Sequence, residues 1–209
     1  MIRVAIIDYG SGNLHSAAKS FERAAAALGN AEVKVISDAA ALQDVTHIVL
    51  PGVGAFADCK RGLEAVPGMI GALETQVLKQ KKPFFGICVG MQLLATTGQE
   101  HGEHAGLGFV PGVVKKLESG TLKIPHMGWN NLKTQPHKVL DGLDGRDVYF
   151  VHSYHFVPES VGDVVAQVEY GSAVTAAIAK GNIFGTQFHP EKSQAAGLQV
   201  IENFLHWRP

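Results

Sequence analysis

The chain has 209 residues, 46% hydrophobic and 18% charged, which suits one large domain with a real core and excludes an intrinsically disordered chain. Its 18 Lys and Arg nearly balance 19 Asp and Glu, and a net charge of −1 argues against broad contact with nucleic acid or an acidic membrane. No apolar run reaches the roughly 18 residues of a spanning helix, and the opening Met1-Ile2-Arg3-Val4 reads as a strand rather than a secretory leader. The continuous apolar run at 2–7 predicts a buried strand. Leu14, Ala17, Ala18, Phe21, Ala24, Ala25 and Leu28 then recur at helical spacing, stopped by Gly29-Asn30. Further strands are expected at 33–36, 47–50 and 83–87, with a helix over 91–97. Short β-type runs follow at 148–151, 164–169, 174–179 and 183–188, and Leu198, Ile201, Phe204 and Leu205 mark a closing helix.

This alternation predicts an α/β fold: a doubly wound, mostly parallel sheet flanked by helices, with antiparallel strands added in the C-terminal half. A single domain is expected to span residues 1–209, since no linker, charge block or repeat interrupts the chain. Two cysteines, Cys59 and Cys88, are too few for a disulfide framework and point to free thiols in the cytoplasm.

Glycines gather where predicted strands end: Gly10 and Gly12, Gly52 and Gly54, Gly86 and Gly90. Binding clefts of open sheets form at those carboxyl ends. Gly86-Ile87-Cys88-Val89-Gly90 lies between a predicted strand and a predicted helix, the Gly-x-nucleophile-x-Gly pattern of a sharp elbow with cysteine in place of serine. Such a turn crowds neighbouring backbone against the nucleophile, so it favours glycine on both sides. The positive end of the following helix favours thiolate. Cys59 has no such setting and is expected to pack as a small apolar side chain. By itself, the elbow indicates a cysteine hydrolase or transferase.

Among ten histidines, His189 stands out because it ends the predicted strand at 183–188 and precedes Pro190-Glu191. Proline biases the residue before it toward extended backbone, where positions i and i+2 face one side. His189 and Glu191 can therefore serve as base and orienting acid to Cys88. Pro51-Gly52-Val53-Gly54 closes a strand and can turn backbone N–H groups toward a developing oxyanion. Gly10-Ser11-Gly12-Asn13 is not a dinucleotide fingerprint, because its third glycine would fall at His15. His101-Gly102-Glu103-His104 and His152-Ser153-Tyr154-His155 have metal-like spacing but lack a third ligand nearby, so they are expected to be solvated loop histidines. Neither metal nor cofactor is expected.

Gly86-Ile87-Cys88-Val89-Gly90-Met91-Gln92 with His189-Pro190-Glu191 resembles the class I (triad) glutamine amidotransferases. Asp8-Tyr9-Gly10-Ser11-Gly12-Asn13-Leu14, Pro51-Gly52-Val53-Gly54-Ala55-Phe56, Pro125-His126-Met127-Gly128-Trp129-Asn130 and His152-Ser153-Tyr154 narrow the resemblance to the glutaminase subunits of synthases that make imidazole glycerol phosphate during histidine biosynthesis. The resemblance implies that Cys88 attacks the glutamine amide, His189 moves the proton and Glu191 supports the imidazole. It further implies an oxyanion site at Gly52, Val53 and Val89, whose Gly52-Val53 peptide stays turned away until the partner and its ligand arrive. Gln92, Ser153 and Tyr154 are expected to hold the α-amino and α-carboxylate groups of glutamine.

A chain of this length leaves no residues to consume the ammonia, which in neutral water is mostly protonated and no longer nucleophilic. The expected partner is therefore a cyclase subunit, which the resemblance identifies as a (β/α)8 barrel forming a heterodimer. Asn13, Met127, Trp129, Tyr149 and Lys192 are the candidate contacts, with core packing the competing role for Met127 and Trp129. Three alternatives stand beside this reading. They are a glutaminase serving another synthase, of the pyridoxal phosphate or aminodeoxychorismate type; a free-standing cysteine hydrolase; and a subunit without turnover.

Overall fold

The computed structural model describes residues 1–209. In chain order the first elements are β1 (Ile2–Ile7), α1 (Leu14–Leu28), β2 (Ala31–Ile36), β3 (His47–Gly52), α2 (Phe56–Ala65), α3 (Met69–Leu73), β4 (Phe84–Cys88) and α4 (Val89–Gln92). There follow β5 (Thr97–Gly98), β6 (His104–Ala105), β7 (Gly112–Lys116), β8 (His126–Asn131), β9 (Lys133–Thr134), β10 (Asp147–His152) and β11 (Tyr154–Pro158). The chain closes with β12 (Val164–Glu169), β13 (Ala173–Lys180), β14 (Ile183–Thr186) and α5 (Gln194–His206).

The main sheet runs β2-β1-β3-β4-β14-β13-β12-β9. Its β2, β1, β3, β4 and β14 are parallel neighbours, whereas β13, β12 and β9 join antiparallel. This is the expected mixed α/β architecture. The antiparallel part is more divided than the periodicity suggests: β10 pairs with β8, and β11-β7-β5-β6 form a third sheet. No helix is long and apolar enough to cross a membrane.

Burial explains the frame. Every residue of β3 and β4 is buried, as strands covered on both faces require. Phe85 of β4 packs edge-on or tilted against Phe21 of α1 at 6.2 Å and Phe204 of α5 at 5.1 Å between ring centres. The first and last helices are thereby locked over the strand that ends in Cys88. Such aromatic pairs add about 1 kcal/mol each beyond area burial.

Two elements differ from expectation. The helix predicted over 91–97 stops after Gln92. The next carbonyls bond sideways to the 106–110 segment instead: Leu107 N–H donates to Leu93 O at 2.7 Å, Val110 N–H to Leu94 O at 3.0 Å and Gly108 N–H to Ala95 O at 3.0 Å. The strand expected at 183–188 ends at Thr186, so Gln187 and Phe188 form the lead-in to His189.

Candidate active site

Cys88 ends β4 and opens α4 with φ 54° and ψ −111°, a backbone conformation rarely adopted by an L-residue. Both flanking glycines are needed there. A Cβ at Gly90 would stand 1.8 Å from Leu50 O, and one at Gly86 would stand 2.7 Å from Gly90 O. The elbow therefore nests its backbone against β3, with Gly52 in register opposite Cys88.

His189 is buried beside the thiol, with Nδ1 2.8 Å from Glu191 Oε1. Its backbone is pinned twice: His189 N–H donates to Tyr149 O at 3.0 Å, and Ser193 Oγ donates to His189 O at 2.7 Å. Burial by itself would push the imidazole pKa down. The charge and hydrogen bond of Cys88, followed by those of Glu191, outweigh it and raise the value to about 10. With Nδ1 committed to Glu191, Nε2 is the ring nitrogen left for Cys88. Glu191 Oε2 is buried without a hydrogen-bond partner, so its carboxylate depends on the imidazolium for compensation.

These side chains open into a cavity of about 570 Å³ lined by Cys88, Val89, Gln92, Ser153, Tyr154 and His189, among others. Asn13, Val53, Gly54, Glu100 and Lys192 belong to the same lining, so the loops after β1, β3 and β4 meet there. Gln92 spends both amide hydrogens inside the protein, donating to Tyr154 O and Gln187 Oε1, each at 3.0 Å. Val53 is 40% exposed, and its carbonyl accepts from Ser11 Oγ at 2.7 Å. Its N–H is directed at the same hydroxyl at 3.4 Å.

The interface candidates gather beside this cavity. Met127 and Trp129 are 62% and 49% exposed, which removes core packing as their role. Trp129 meets Tyr149 edge-on at 5.9 Å across the β8–β10 pair, and Lys192 Nζ lies 5.8 Å from the centre of the Tyr149 ring. Other side chains depart from expectation. His152 and His155 are buried on β10 and β11 rather than solvated in a loop, and burial pushes their pKa values down to about 3 and about 4. Cys59 is fully buried but not inert packing: its Sγ lies 3.1 Å from Ser11 Oγ and 3.2 Å from Val53 O. Gln187, passed over in the sequence, donates from Nε2 to Cys88 Sγ at 3.6 Å. Its position two residues before His189, within the run expected to be a strand, was the available signal.

The arrangement is a thiol on a strained elbow and an imidazolium beside it, both facing one cavity, with a buried carboxylate behind the ring. The class I glutamine amidotransferase family model matches residues 5–207, and the chain belongs to that family. Among named relatives, "Imidazole glycerol phosphate synthase subunit HisH" of Rhodospirillum rubrum is 55% identical, covering 100% of both chains. The protein of the same name from Rhodopseudomonas palustris is 53% identical over 99% of both. The fold is also that of solved relatives. A glutamine amidotransferase structure matches with TM-score 0.75 at 19% identity, covering 97% of each chain. PurLQS from Thermotoga maritima matches with TM-score 0.73 at 20% identity, covering 98% of each.

Proposed function

We propose that this chain is the glutaminase subunit of an imidazole glycerol phosphate synthase, hydrolysing L-glutamine and passing ammonia to a cyclase subunit in histidine biosynthesis. The observation that carries the reading is the Cys88–His189–Glu191 arrangement on its cavity, in a chain more than half identical to proteins of that name.

In the mechanism, Cys88 Sγ adds to the side-chain carbonyl carbon of glutamine. The carbonyl oxygen becomes an oxyanion, received by the N–H groups of Val89 and, once its peptide turns, Val53, with Gly52 giving the freedom to turn. Collapse breaks the carbon–nitrogen bond as His189 Nε2 delivers its proton to the leaving nitrogen, giving ammonia and a thioester. A water molecule then gives a proton to His189 and attacks the thioester, releasing glutamate and the thiolate. Glu191 keeps the ring oriented through both steps. The raised imidazole pKa supports its role as the proton donor. Gln92 offers its Oε1 to the substrate ammonium, since its amide hydrogens are already engaged. Ser153 and Tyr154, in the same cavity lining, complete the amino-acid site.

The Val53 N–H directed at Ser11 supports a resting state whose oxyanion site is completed by docking. Met127, Trp129, Tyr149, Lys192 and Asn13 form the docking face for the cyclase, a (β/α)8 barrel, in a cytoplasmic heterodimer. No cofactor takes part. The test is glutamine hydrolysis by the isolated chain, then with an imidazole glycerol phosphate cyclase and its nucleotide ligand. Low activity alone, strong stimulation in the complex and abolition by Cys88→Ala are expected. High unstimulated activity on peptides or esters would instead identify a free-standing hydrolase.

A further inference from the structure

We propose that Gln187 is a further catalytic residue, holding an amide N–H on the Cys88 sulfur to stabilise its thiolate, and that a buried hydrogen-bond chain imposes the required amide orientation. The inference rests on the glutaminase reading for its consequence, not for its geometry.

Gln187 is fully buried, and its Nε2 lies 3.6 Å from Cys88 Sγ while its Oε1 accepts from Gln92 Nε2 at 3.0 Å. An amide can face a sulfur with either end, so what matters is which end is fixed. Tyr154 O has no hydrogen to give, and it lies 3.0 Å from Gln92 Nε2 and 2.9 Å from His152 Nδ1. Both must donate to it. His152 is held neutral by burial, so with Nδ1 protonated its Nε2 must accept, and the donor is His126 Nδ1 at 2.9 Å. His126 Nε2 then accepts from Asn130 Nδ2 at 3.2 Å. The His126 ring cannot readily turn out of this order, being stacked on Phe150 at 4.7 Å and Tyr170 at 4.0 Å.

Every polar direction in the chain is thus set. Asn130 donates to His126, His126 to His152, His152 to the Tyr154 carbonyl, and Gln92 to both that carbonyl and Gln187. A flipped Gln187 would set N–H against N–H at Gln92 and an oxygen lone pair against the sulfur. The assigned end faces Cys88 with a donor in a buried site, where a hydrogen bond to a charged group is strongest. α4 is only four residues long, so a helix dipole has little length behind it and the side-chain donor carries more of the task. The titratable groups around the sulfur are His189 after β14, Tyr9 after β1 and Cys59 on α2. Of these, only His189 supplies positive charge.

The test is the pH dependence of Cys88 alkylation by iodoacetamide, followed on the Cys88 peptide by mass spectrometry. Wild type, Gln187→Leu and the near-isosteric Gln187→Glu are compared, with thermal melting to establish folding. In Gln187→Leu the rate at neutral pH should fall about tenfold and the thiolate midpoint should rise by about one pH unit. Gln187→Glu, which turns an anion toward the sulfur, should fall further. In the reconstituted complex kcat should drop alongside, with KM moving less than about threefold. If a Gln187 variant does not fold, Gln92→Met reads the same donor by freeing Gln187 to rotate, and alkylation should fall about threefold. Rates and midpoints within about twofold of wild type in folded variants would overturn the proposal. Alkylation needs no glutamine. Its loss in the variants, beside a wild-type complex that does not hydrolyse glutamine, would uphold the Gln187 role and sink the glutaminase reading alone.

Discussion

The two cysteines sit in buried regions that share a residue type and little else. Cys88 stands on a positive-φ turn at the carboxyl end of β4, with the His189 imidazolium beside it and a cavity in front. Cys59 lies within α2, fully buried, its thiol taken up by Ser11 Oγ and the Val53 carbonyl. Burial, the largest influence on it, pushes its pKa up. Depth does not distinguish the two sites. The difference is the partner: a cationic ring beside Cys88, neutral hydrogen-bond partners around Cys59, and backbone strain only at Cys88.

That contrast can be broken by removing the cation. His189→Asn should lower glutamine turnover in the complex by about 10²–10⁴-fold and reduce Cys88 alkylation toward the level of Cys59. Glu191→Gln keeps the shape but withdraws the charge behind the ring, so its loss should be smaller, on the order of a hundredfold. Steady-state kinetics beside peptide-resolved alkylation measure both.

Backbone strain gives a second handle. Gly90→Ala must push the elbow away from Leu50 O, and urea unfolding should show a loss of about 3 kcal/mol. Alkylation should then slow at Cys88 and not at Cys59.

Acid supplies a milder perturbation. Burial lowers His47, His126 and His155 to about 4 and His152 to about 3, from an ordinary value of 6.5. In that window the unfolded chain binds protons that the folded chain refuses. The stability these four contribute is therefore full above pH 6.5 and falls as pH drops toward 4, whereas the contribution of His189 is full below 6.5 and is lost as pH rises toward 10. His189 does not oppose this trend, because its raised value keeps it protonated in both states at acid pH. Thermal melts between pH 6.5 and 4 should show Tm falling with pH, less steeply in His152→Asn.

The smallest effect belongs to Cys59→Ala. Loss of a small buried side chain should lower stability by about 1 kcal/mol, with Cys88 alkylation remaining the dominant labelling event.

What the sequence made legible follows from how local each signal is. The elbow and His-Pro-Glu declare themselves because glycine, proline and i,i+2 geometry act within a few residues. The parallel strands do so because they are continuous apolar runs. The end of α4 at Gln92 was not legible, since the groups that draw its next carbonyls away lie at 106–110. His152 and His155 look like solvated loop residues because single-chain spacing carries no sign of strand pairing between β10 and β8 or between β11 and β7. Gln187 escaped for a related reason: its partners, Cys88 and Gln92, come from far along the chain. The Met127 and Trp129 motif was visible, whereas its exposed face depended on the alternation of β8.

The most direct measurement exposes the complex to L-glutamine, quenches it in acid and maps any γ-glutamyl adduct by peptide mass spectrometry. A thioester on Cys88, absent from Cys59 and absent in Cys88→Ala together with turnover, is the predicted result. Glutamine hydrolysis that persists in Cys88→Ala, or an adduct at Cys59, would contradict it.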